Sequence, residues 1–68
     1  MKPHVERMQV EAAELFDKTS KLAAFIAESP IFKTLPAEEQ YDMNLQLEAM
    51  SLYGRILKHR LDRALAAD

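Results

Sequence analysis

The side chains able to do chemistry sit mostly near the two ends of the chain. Lys2, His4 and Arg7 open it, and Arg55, Lys58, His59, Arg60 and Arg63 crowd its last third. Guanidinium groups bind phosphate or carboxylate as a bidentate fork, and ammonium groups bind them as point charges. Tyr53 or Tyr41 offers a ring on which a base can stack. The same cations, in the closing turns of a helix, also offset the negative end of its macrodipole. Charge alone therefore leaves an anion site and a solvated helix end both open. Glu38, Glu39 and Asp42 are explained more simply as a dipole-matched helix start than as an acid/base pair. His4, His59 and Asp62 follow no zinc spacing. No serine has a histidine and an acid in a recognisable motif, and Gly54, the only glycine, leaves no Gly-rich phosphate loop. The expectation is a chain that catalyses no reaction, holds no metal and uses no cofactor.

Composition narrows the setting. A chain of 68 residues is small enough that folding hides only about 60% of the surface its unfolded form exposes, and such domains often gain stability by associating. Cysteine is absent, which removes disulfides and thiolate metal sites and fits a reducing, cytoplasmic setting. No apolar run approaches the ~20 residues of a membrane span, and the first residues lack a signal-peptide core. Neither export by that route nor membrane insertion is expected. A net charge of −2 is too small to announce a duplex nucleic acid or a membrane as partner.

Two helices must position these groups. Val5, Met8, Ala12, Leu15, Thr19, Leu22 and Ile26 recur at three-four spacing, predicting a helix over about 3–29 whose seam only Thr19 interrupts. Phe16 and Phe25 flank that seam and are expected to widen the buried face. Glu14 with Lys18 and Asp17 with Lys21 have the spacing of stabilising pairs on a solvated face. Ser29-Pro30 ends the helix, because the residue before proline is pushed out of the α region. A connector over about 30–35 follows, with Ile31, Phe32 and Leu35 expected to plug the open end. Pro36 starts a second helix that runs to about 66, with the seam Met43, Leu47, Met50, Gly54, Leu57, Leu61 and Ala64.

Seams of equal length joined by a short connector predict an all-α antiparallel two-helix hairpin. A mid-helix glycine on the seam predicts close approach of the first helix at Ala12 or Leu15. Tyr41, Leu45 and Leu52 lie about 180–220° around the helix from Met50 at ~100° per residue. They point away from the first helix and mark a surface for assembly into a homo-oligomeric helical bundle. Folding back also brings Arg7 to the end that carries Arg55, Lys58, His59, Arg60 and Arg63, while the acids gather at the connector end.

Glu6-Arg7, the stretch from Leu15 to Ile26, and Gln46-Leu47-Glu48-Ala49-Met50-Ser51-Leu52-Tyr53-Gly54-Arg55-Ile56-Leu57-Lys58-His59-Arg60 together resemble the small phage proteins related to a crAss-phage accessory protein. Gln46, Tyr53 and Arg60 share one flank, which periodicity alone does not require; Thr19 and Phe16 depart from the family pattern. The resemblance implies a non-enzymatic phage or prophage accessory protein of the kind that counters bacterial defence. The architecture is similar in shape to helical-hairpin phage proteins that oligomerise and sequester cyclic nucleotide signals. That analogy is one of shape only and assigns no residues. From the basic end and the tyrosines, Tyr53, Arg55, Lys58, His59, Arg60, Arg63 and Arg7 are the candidate ligand-binding residues, and from helical phase Tyr41, Leu45 and Leu52 are the candidate oligomer interface. The alternatives are a protein-binding inhibitor of a host defence complex, acting as an anti-CRISPR does, and a structural or assembly helper.

Overall fold

The structure, a computed structural model, describes residues 2–67. Helix α1 spans Pro3–Glu28, a single 3-10 turn spans Phe32–Thr34, and helix α2 spans Ala37–Ala67. These limits lie within a residue or so of those expected from Pro3, Ser29-Pro30 and Pro36. Pro3 occupies the first turn, where its missing N–H has no intrahelical acceptor. The carbonyl of Pro36 accepts the first backbone bond of α2, from the Gln40 N–H at 3.0 Å.

The helices pack lengthwise into a rod of 48 × 15 × 14 Å. Every seam position of α1 and α2 is buried or half-buried, so the alternating three-four steps locate the contact residue by residue. Among the described residues, the buried apolar side chains are Val5, Leu15, Phe32 and Leu57, of which only Val5 and Leu57 are fully buried. A two-helix contact covers only one stripe of each helix, which is why so few side chains lose all contact with water. Thr19 sits on the seam without an unpaired donor, because its hydroxyl donates to the Leu15 carbonyl at 2.7 Å.

The connector is held by a dense local network. Ser29 N–H donates to Phe25 O at 3.1 Å, and Ile31 N–H donates to Ser29 Oγ at 3.2 Å. Thr34 Oγ1 donates to Ile31 O. From α2, Gln40 Nε2 reaches back to the carbonyls of Leu35 at 2.9 Å and Lys33 at 3.3 Å. Those carbonyls would otherwise end the 3-10 turn without a protein partner. Phe32 is buried under the turn and meets Phe25 edge-on, ring centroids 6.2 Å apart.

Four expectations need correction. Phe32 and Leu35 close the hairpin, but Ile31 points outward and is 60% exposed. Phe25 does widen the buried face, whereas Phe16 is 74% exposed; it stands at the edge of the groove beside α2, and a two-helix rod has no third element to cover it. Asp17 and Lys21 pair at 3.0 Å, but Glu14 and Lys18 form no ion pair, since solvated side chains gain little from holding one geometry. Gly54 faces Leu15 as expected, but a Cβ there would stand 3.8 Å from Leu15 Cδ2, an ordinary contact. Packing within the hairpin does not require glycine at this position.

Candidate functional site

The antiparallel turn places Arg7 near the end of the rod that carries the basic residues of α2, but the candidate binding groups do not form one cluster. Arg55 and Lys58 border a groove of about 530 Å³ that runs between the helices. Tyr53 and Arg60 lie roughly 140–160° around α2 from those two at ~100° per residue, on the opposite flank. His59 and Arg63 occupy the back of α2, away from its buried seam. Arg7 borders a separate shallow depression with Pro3, Glu6 and Val10. One hairpin thus offers several single cations and no enclosing cage.

One of these groups is also engaged differently than expected. Lys58 Nζ pairs with Asp62 Oδ2 at 2.9 Å, one turn further along α2. That contact employs Asp62 as a counter-ion and lowers the net charge of the groove edge. Tyr53 is 42% exposed, so its ring is accessible to a stacking partner on the flank it shares with Arg60. The stripe Tyr41, Leu45 and Leu52 is exposed at 65%, 45% and 50%, and Ile56 extends it. At the connector end Tyr41 shares a shallow depression with Ala37, Glu38 and Asp42.

The feature that periodicity did not announce is the interhelical groove. Ala12, Thr19 and Gly54 are small and half-buried and form its floor, while Phe16, Leu61 and Leu65 stand along it. Its sequence signal was available: small residues, Ala12, Thr19 and Gly54, recur at seam positions of the two helices.

A family model described as Sequestin matches residues 2–63, which takes in both helices and the connector. The chain belongs to the Sequestin family. The Sequestin match covers the same residues on which the likeness to small phage accessory proteins was drawn, and it fits a family of that small accessory type. It carries no particular relation to a crAss-phage protein. The name Sequestin suggests a sequestering role, and so the binding of a partner molecule. No curated protein and no solved structure matches the chain. Among the described residues, no helix is long and apolar enough to cross a membrane.

Proposed function

We propose that the chain is a non-enzymatic phage or prophage accessory protein that sequesters a small anionic immune signal of the cyclic nucleotide type, acting in the host cytoplasm. The observation that carries this reading is the Sequestin match over residues 2–63. The surface chemistry supports it: a basic end with exposed arginines and a tyrosine ring suits a phosphate-bearing, base-bearing ligand. Because Arg55 and Lys58 face one way and Tyr53 and Arg60 another, a ligand is enclosed only where copies of the chain meet. The exposed stripe Tyr41, Leu45 and Leu52 is one surface available for such an assembly.

Isothermal titration calorimetry of the full chain against cyclic di- and trinucleotides tests the reading. Binding that weakens with added salt and falls at least tenfold in Arg60→Ala or Tyr53→Ala is the expected result. Heat-silent titrations across the panel would overturn it. A second reading is favoured by one observation, the exposed Tyr41 ring between Glu38 and Asp42. An aromatic anchor with an acidic rim suits a basic protein surface, as in an inhibitor of a host defence complex. Co-purification of one host protein that is lost in Tyr41→Ala would support that alternative.

A further inference from the structure

We infer that the groove between α1 and α2 is the seat of a second copy of this chain, with Phe16 of each copy inserted into the groove of the other. The inference shares with the proposed function only the need for more than one chain, and it names a different face from the Tyr41, Leu45 and Leu52 stripe.

Four observations carry it. Phe16 is 74% exposed, the most exposed of the large apolar side chains, and it stands at the groove rather than apart from it. Knob and hole on one face of one molecule is the requirement for an isologous contact, in which residue i meets j and j meets i across a two-fold axis. The floor supplies the hole: Ala12, Thr19 and Gly54 leave room where larger seam residues would fill it. Gly54 in particular is not needed by the hairpin, since a Cβ would meet only Leu15 Cδ2 at 3.8 Å, yet the glycine keeps the floor low.

The third observation is the amount of surface. The chain exposes 5231 Å², whereas a compact monomer of this mass exposes about 4,400 Å². The surplus, roughly 800 Å², equals what one partner contributes to a standard stable interface. The radius of gyration, 15.2 Å, likewise exceeds the ~11 Å of a compact domain of this length. Two rods laid face to face bury that surplus and give a body less elongated for its mass, as a four-helix bundle does. Fourth, the groove edge carries both signs in the Lys58–Asp62 pair. A like-signed edge would repel its own copy, whereas a mixed edge tolerates it.

Sedimentation velocity on the ligand-free full chain across a micromolar concentration series tests the inference. The wild type is expected to sediment as a dimer or a multiple of it. Phe16→Lys is expected to raise the dissociation constant of that dimer at least tenfold while leaving the far-ultraviolet circular dichroism unchanged, because the side chain it replaces supports little of the hairpin. Leu52→Glu is expected to leave the groove dimer intact. A monomeric wild type, or a Phe16→Lys chain that assembles like the wild type, would overturn the inference; so would dissociation to monomers in Leu52→Glu alone, which would place the second copy on the back stripe. Since no nucleotide is present, a failure here is separate from a failure to bind one.

Discussion

At Gly54 the stability of one hairpin and the shape of its surface favour different residues. A glycine inside a helix costs about 1 kcal/mol relative to alanine, through the backbone freedom it gives up on folding. Here the added methyl would meet nothing closer than Leu15 Cδ2 at 3.8 Å. Gly54→Ala should therefore stabilise the isolated hairpin. In the Phe16→Lys background, where association through the groove no longer contributes, the thermal midpoint followed by circular dichroism is expected to rise by roughly 4–8 °C. An unchanged or lower midpoint would mean that α1 and α2 approach more tightly than the contact at Leu15 implies. Leu57 is the opposite case, with 0% exposure and no competing role. Leu57→Ala removes buried methyl groups and leaves a cavity, at a cost of about 2–5 kcal/mol. In so small a domain that is a large part of the total, and a loss of cooperative thermal unfolding is the expected readout.

The elements owe their limits to a few residues whose effect is local and therefore legible in sequence. Pro3, Ser29-Pro30 and Pro36 act through fixed dihedrals and missing donors, and the helix ends fall where those constraints put them. The seams were equally legible, since a stripe repeated every three or four residues has only one way to be buried. What lies beside the stripe was not. Phe16 and Phe25 both flank the α1 seam, but only Phe25 finds a cover, because Phe32 of the connector folds over it. No periodicity encodes that difference. Nor does periodicity encode the reach of Gln40, which sits three residues before Met43 on the line of the α2 seam and donates to Leu35 and Lys33 carbonyls. This glutamine ties the start of α2 to the end of the connector. Gln40→Ala is expected to destabilise by about 1–2 kcal/mol, and hydrogen exchange at Thr34 and Leu35 should accelerate more than at the seam near Leu57. Equal acceleration at both places would show that Gln40 acts on the whole hairpin rather than on the turn.

At the scale of the molecule, the sequence places most of its cations near one end of the rod without saying how they face. Facing is decided by helical phase, and phase distributes Arg55 and Lys58 to the groove, Tyr53 and Arg60 to the opposite flank, and Arg63 and His59 to the back. A small anion bound by one hairpin would meet one or two solvated cations, an interaction that ordinary salt largely screens. Tight sequestration of such an anion would therefore depend on cations from different copies converging on the same ligand. If the groove contact builds the assembly that does this, affinity for a cyclic dinucleotide must fall with the assembly, even though Phe16 itself is apolar and carries no charge to offer a phosphate. Phe16→Leu, which retains an apolar side chain of similar reach, is expected to bind like the wild type. Phe16→Lys adds a cation and so would improve binding to a single hairpin. In calorimetry it is instead expected to bind at least tenfold more weakly, with the remaining affinity rising as protein concentration drives reassociation. Tighter binding by Phe16→Lys at every concentration would show that the anion is held by one chain, and would separate nucleotide capture from the association of hairpins.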